Sequence, residues 1–336
     1  MSRKLFEYHP VIGYHFIPGI KARIDHEGGG YLVRVNAAGF RCDHELTPEK
    51  PPGTKRILIF GDSFTAGDGV SNKDRYSDLL ERLLPGTQVL NFGLSGSGTD
   101  QQFLIFREYA AGLDYDLAVL AVQAENIRRV ANRYRPFADE NGRLLLVAKP
   151  YYTLDADGRL ALHHVPPPKE PIDPEQLPES ERQHVDWAGR EGNHALLRKA
   201  INTLGPWAKT LAQKLTGYQP YPEYDDPDNA DWRLMNAVLR NWIGHLKRPV
   251  VVFAIPYFAY VEETSSSAGF EARMRELADW PQVIVHQALH DLRQYPKDER
   301  RRFRFERDTH PTVSGHKALA ESLAKAVRPI LQQGGA

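Results

Sequence analysis

Four stretches of this chain place reactive side chains where they could act on an acyl group. In ILIFGDSFTAGDGV (57–70) an apolar strand-like run ends in Gly61-Asp62-Ser63, which puts a serine two residues beyond the run. A tight turn that needs only small residues would read the same way. At the carboxyl end of a strand in a parallel α/β sheet, however, a serine stands where ligands bind, with backbone N–H groups nearby to meet negative charge. NFGLSGSGTDQQ (91–102) follows a second strand-like run and carries three glycines within six residues, at 93, 96 and 98. Such a loop can bring its backbone close to a ligand and point N–H groups into a concavity, or it can simply turn. AVQAENIRR (121–129) puts Asn126 just past a third run, as an amide donor for an oxyanion or as a helix cap. ERDTHPTVSGHKALAE (306–321) sets Asp308 two residues before His310, which is followed by a proline. A base and its orienting acid need that pairing, and an extended Asp-x-His puts both side chains on one side of the chain. Glu306 is the fallback acid, and His316, on the helix that follows, reads as structural.

The elements that must hold these groups follow from hydrophobic periodicity. Short apolar runs at 56–60, 88–93, 116–122, 248–256 and 281–287 alternate with helical patterns at 75–86 and 99–112, and an amphipathic helix at 314–331 closes the chain. That alternation predicts an α/β protein, a three-layer α/β/α sandwich around a mainly parallel sheet covered on both faces. Residues 1–54 read as an N-terminal extension packed on the body, with a Gly-rich turn and a short strand in HEGGGYLVRVNAAGF. Residues 55–332 form the main domain, interrupted at about 135–230 by a segment too long for an idle loop. This insertion predicts a cap: a hairpin in GRLLLVAKPYYTLDADGRLALHHV, a Pro-rich stretch, then a helix in HALLRKAINTLGPWAKTLAQKL. Its aromatic residues, among them Tyr151, Tyr152, Trp187, Trp207, Tyr218, Tyr221 and Tyr224, either pack the cap on the body or line a substrate pocket.

Composition narrows the function classes. The 336 residues contain 43 Lys+Arg and 43 Asp+Glu, so the formal net charge is zero and broad attraction to nucleic acid is not expected. Cys42 is the single cysteine, which rules out an intrachain disulfide and argues against a Cys-based zinc site. His286 and His290 stand at i, i+4 spacing, but no carboxylate or third histidine falls at a recognisable metal-site distance. No stretch has the apolar length of a membrane span, and the first residues lack a signal-peptide pattern, so the default compartment is the cytoplasm.

Taken in order, the four stretches resemble the SGNH hydrolase superfamily, the GDSL-type esterases and lipases, over roughly 55–330. The resemblance implies a flavodoxin-like SGNH hydrolase fold with Ser63 as nucleophile and His310 and Asp308 as base and acid. It implies an oxyanion hole formed by the N–H groups of Ser63 and Gly96 and the amide of Asn126. NAAGFR (36–41) is similar to a segment of some bacterial members. The chain departs from the family at Ala124-Glu125-Asn126-Ile127, where Gly-x-Asn-Asp is usual, and at Arg307, where the acid usually stands three residues before the histidine. The implied activity is hydrolysis of an ester, or an acyl amide, of a small metabolite or carbohydrate, with no metal or cofactor. An acyltransferase using the same site with an alcohol or amine acceptor is the first alternative. A non-catalytic SGNH-fold binding module is the second.

Overall fold

The computed structural model describes residues 5–139, 141–185 and 219–333. Five strands form one sheet: β5 (Lys55–Phe60), β6 (Thr87–Asn91), β7 (Leu117–Gln123), β12 (Val250–Ile255) and β13 (Val283–Gln287), in the order β13-β12-β7-β5-β6. Every pairing is parallel. The expected strands are therefore all present, within a residue or two. β7 and β12 are buried along their whole length, as continuous apolar runs require when helices cover both faces. The helix Tyr76–Leu83 packs with the terminal helix Val313–Gln333, and the helix Thr99–Ile105 packs with the helix Ala230–His245. This makes the three-layer α/β/α sandwich.

Strand order explains where a site can form. The chain leaves β5 for β6 on one side and then crosses back to β7 on the other, so the loops after β5 and β7 diverge and leave a crevice at their carboxyl ends. The floor beneath is rigid. Phe60 at the end of β5 stacks on Phe92 (centroids 4.9 Å apart) and meets Trp242 edge-on at 5.1 Å. Truncating such a fully buried ring to alanine costs roughly 3–5 kcal/mol.

Two regions differ from the sequence expectation. The N-terminal stretch holds four strands rather than one: a hairpin of β1 (Phe6–His9) with β2 (Gly13–Phe16), and a second of β3 (Lys21–Ile24) with β4 (Tyr31–Arg34). Strands of four residues carry too little alternation to be read from periodicity. The single hairpin expected at 142–165 is in fact two, β8 (Tyr134–Ala138) with β9 (Leu144–Ala148) and β10 (Tyr151–Leu154) with β11 (Leu160–His163). Each turn is built alike. The Asp139 carboxylate accepts from the Asn141 and Arg143 N–H groups, and the Asp155 carboxylate accepts from those of Asp157 and Arg159. The expected cap helix over HALLRKAINTLGPWAKTLAQKL, with Trp187, Trp207 and Tyr218, lies outside the described residues. No helix among the described residues is long and apolar enough to cross a membrane.

Candidate active site

Asp62 caps the four-residue helix Ser63–Ala66, its carboxylate accepting from the Phe64 N–H at 3.0 Å. This fixes Ser63 at the first helical position, directly past β5. Asn91 ties the same turn to the second loop. Its amide donates to the Thr65 carbonyl and to Ser77 Oγ, both at 2.7 Å, while its oxygen accepts from the Gly93 N–H at 2.8 Å. A Cβ on Gly93 would come within 2.3 Å of the Ala66 nitrogen, so only glycine lets the two loops touch.

The fourth stretch closes over Ser63. His310 Nε2 lies 2.8 Å from Ser63 Oγ, and His310 Nδ1 lies 2.5 Å from Asp308 Oδ1. Asp308, not the exposed Glu306, is thus the acid beside the imidazole. Asp308 is desolvated by partial burial, which raises a carboxyl pKa, but hydrogen bonds from His310 and His26 outweigh this and hold it well below the usual carboxylate range. An ionised Asp308 can only accept, so Nδ1 of His310 carries the proton and Nε2 offers its lone pair to the serine hydroxyl. Burial disfavours the imidazolium, yet the hydrogen bond to Asp308 and the charges of Asp68 and Asp308 raise His310 above the ordinary histidine pKa. His316 is different: burial and the nearby Arg75 and Arg41 lower it to about 3. Its Nδ1 accepts the Tyr76 N–H at 3.2 Å, so it is a neutral structural residue, as expected.

Ser63, Gly96 and His310 line one cavity of about 340 Å³, together with Asp68, Ser95, Arg129 and Arg135. The backbone N–H groups of Ser63 and Gly96 donate to no acceptor among the described residues. Asn126 stands behind this surface and is completely buried. One amide N–H donates to Asp62 Oδ2 at 2.9 Å, and its oxygen accepts from Gln102 Nε2 at 3.0 Å. Its second N–H has no acceptor among the described residues. Asp62 also pairs with Arg129 at 3.1 Å. Burial pushes the Asp62 pKa up, against the pull of Arg129 and of the Phe64 N–H.

Several further residues support the site, and of these only Arg41 falls in a segment the sequence singled out for its likeness to the family. His26, in the turn between β3 and β4, donates from Nε2 to Asp308 Oδ2 at 3.0 Å, and its Nδ1 accepts the Gly28 N–H at 3.3 Å. The neighbouring Glu27 carboxylate accepts the backbone N–H groups of Arg307 and Asp308. Arg41, the last residue of NAAGFR, is fully buried and donates to the carbonyls of Gly67 and Val70 at 2.8 Å each, clamping the chain just past the Ser63 helix. Leu5, Phe6, Phe16, Tyr31 and Val33 form the apolar wall of the cavity. Among the described residues, the aromatic side chains of the insertion do not line it. Tyr152, Tyr221 and Tyr224 are buried against the body, and the Tyr224 hydroxyl donates to the Ala124 carbonyl at 2.9 Å. His286 lies on β13 and bonds Ser322 Oγ at 2.9 Å, whereas His290 lies on the following short helix, Ala288–Leu292, so the pair does not share one helix face.

No protein-family model matches the chain, and no curated protein matches it. The chain does resemble solved structures of lipolytic enzymes. A lipase from a goat rumen metagenome is 13% identical, with 81% of this chain and 97% of that one covered, at a TM-score of 0.40. The aryl esterase of M. smegmatis is 15% identical over 82% of this chain and all of that one (100%), at 0.39. A lipolytic protein of the G-D-S-L family from Veillonella parvula is 11% identical over 82% and 99%, at 0.41. Similarity at this level carries no argument about chemistry, which rests on the site itself.

Proposed function

We propose that the protein is a serine hydrolase of the SGNH type that cleaves an ester of a small molecule through an acyl-serine intermediate. The observation that carries this reading is the continuous chain from Ser63 Oγ through His310 to Asp308, at 2.8 Å and 2.5 Å, opening on a cavity. A serine hydroxyl is a weak nucleophile until a base removes its proton. His310 Nε2 takes that proton as Ser63 Oγ bonds to the carbonyl carbon, and the carbonyl π electrons move to oxygen. The free N–H groups of Ser63 and Gly96 meet this oxyanion, with the uncommitted N–H of Asn126 behind them. As the intermediate collapses, the carbon–oxygen bond to the alcohol breaks and His310 returns the proton to the leaving oxygen. Water then repeats the sequence on the acyl-serine, releasing the acid and free Ser63. Asp308 fixes the tautomer and stabilises the imidazolium formed twice per turnover.

The test is labelling with a fluorophosphonate followed by intact-protein mass spectrometry. Wild type is expected to gain one adduct, mapped to Ser63, while folded Ser63→Ala and His310→Ala gain none. A folded wild type that stays unlabelled and cleaves no small acyl ester would refute the reading.

A further inference from the structure

The cavity over Ser63 contains an unusual balance of charge. Three arginines line it, and two are neutralised by the protein. Arg129 pairs with Asp62 at 3.1 Å and with Glu125 at 2.6 Å. Arg41 is spent on backbone carbonyls and lies 3.8 Å from Asp68. Arg135 has no carboxylate partner among the described residues. Its hydrogen bond there is a long one, Nη1 to the Ser95 carbonyl at 3.4 Å.

Arg135 is nevertheless held in place. It projects from β8, and its guanidinium lies over the Tyr14 ring, 4.5 Å from the centroid. The Tyr14 hydroxyl donates to the same Ser95 carbonyl at 2.8 Å, which anchors the platform. The guanidinium also rests on the face of Gly96: a Cβ there would lie 2.3 Å from Arg135 Nη2, and Gly96 has φ +73°. A planar five-donor fork, pre-positioned by an aromatic face and half-buried in the wall of a reactive cavity, suits an anion that offers two oxygens side by side. The apolar part of the wall, Leu5, Phe6, Phe16, Tyr31 and Val33, suits a short apolar chain, and the carboxylate in the lining, Asp68, accepts from Ser95 Oγ at 2.7 Å and faces Arg41.

We infer that Arg135 is a specificity residue that binds an anionic group, a carboxylate or a phosphate, carried by the substrate a few bonds from the scissile ester. This inference rests on the hydrolase reading above and names its substrate class. The anion can sit on the acyl side, as in a hemisuccinate, or on the alcohol side, as in O-acetyl-lactate. Desolvating the ion pair against the apolar wall makes it worth more than an exposed pair.

The experiment has two arms. In the first, kcat/KM is measured for p-nitrophenyl hemisuccinate against p-nitrophenyl butyrate, and for O-acetyl-lactate against ethyl acetate, with wild type and Arg135→Gln. Wild type is expected to favour one anionic ester over its neutral partner by about tenfold or more, mainly through KM, and Arg135→Gln to lose that preference, read as the ratio of the two kcat/KM values within each variant. The pair that shows the preference tells which side carries the charge. Equal preference ratios in wild type and Arg135→Gln would overturn the inference while leaving the hydrolase reading intact. The second arm needs no turnover: succinate and inorganic phosphate are titrated calorimetrically into Ser63→Ala and into Ser63→Ala/Arg135→Gln. Saturable binding to the first and none to the second supports the subsite even if no ester is cleaved. No binding of either anion to Ser63→Ala, with no cleavage in the first arm, overturns it.

Discussion

The parallel sheet and the N-terminal residues reach the same small volume by different means. The sheet sends Ser63, Gly96 and Asn126 out on loops that leave β5, β6 and β7, so backbone geometry alone sets their spacing. The N-terminal hairpins and the segment after them reach in from outside with side chains: His26 on Asp308, Arg41 on the Gly67 and Val70 carbonyls, Tyr14 under Arg135. The difference teaches that reacting groups and their supports are under different constraints. A nucleophile needs one turn at one strand end. A support needs only some side chain of the right polarity within reach, from anywhere in the chain.

Removing the groups proposed to react, Ser63 from the sheet and His310 and Asp308 from the loop before the terminal helix, is expected to have the largest effects. Ser63→Ala or His310→Ala is expected to lower kcat by on the order of 10⁶ with an unchanged far-ultraviolet spectrum, since a triad acts as a unit. Steady-state hydrolysis of an activated ester checks this. Asp308→Asn should cost roughly 10⁴ in kcat, because an amide facing Nδ1 favours the wrong tautomer. It also tests the pH profile. His310 must be neutral to act as base, and its pKa is raised, so wild-type kcat/KM should fall as pH drops through a value above the ordinary ~6.5 of histidine. In Asp308→Asn that acid limb should move down. A limb that stays in place would separate Asp308 from the electrostatics of the imidazole.

Arg41→Met tests the N-terminal half at its most buried point. The substitution strands the Val70 carbonyl, leaves the Gly67 carbonyl with the Val70 N–H alone and removes the cationic partner of Asp68, and it is expected to cost about 3–5 kcal/mol in urea unfolding. Loss of stability under about 1 kcal/mol would mean the clamp is dispensable. Asn126→Ala follows at roughly 10²–10³ in kcat if its second N–H reaches the oxyanion. Asn126 also holds Asp62, so the labelling rate of Ser63 needs to be read beside turnover. A fall in both, with a loosened turn, would make it a positioning residue instead.

The legibility of the sequence divides along the same line. The five central strands announce themselves because they are continuous apolar runs, and the groups at their ends stand at spacings that the fold enforces. Ser63 and Gly96 stand past the ends of β5 and β6, Asp308 and His310 meet them from the loop before the terminal helix, and Asn126 lies one layer behind. The hairpins of 6–34 are four-residue strands whose partners lie in the same short stretch, below what periodicity can resolve. His26 looked like any turn histidine, because its meaning comes from Asp308, 282 residues away. The two-hairpin insertion was within reach of the sequence, since Asp139-x-Asn141-Gly142-Arg143 and Asp155-x-Asp157-Gly158-Arg159 repeat one turn design. Lys149-Pro150 marks the break between them.

His26 gives the smallest expected effect and the sharpest contrast between the two halves. It donates to the Asp308 oxygen that His310 leaves free, and Glu27 holds the backbone of the same loop, so the turn after β3 positions the acid twice over. Removing the imidazole in His26→Ala leaves Asp308 with one hydrogen-bond donor fewer. Its negative charge is then less dispersed and attracts the proton on His310 more strongly, while its orientation is less fixed. The first effect should raise the His310 pKa further and move the acid limb of kcat/KM upward. The second should lower kcat by about tenfold, or about 1.4 kcal/mol of barrier. A purely structural role for His26 would lower stability and leave the limb where it is. His26→Gln, which can restore a donor of similar reach, should bring the limb back toward wild type even where some kcat stays lost. If Ala and Gln give the same limb, the contact between His26 and Asp308 holds the loop without tuning the base.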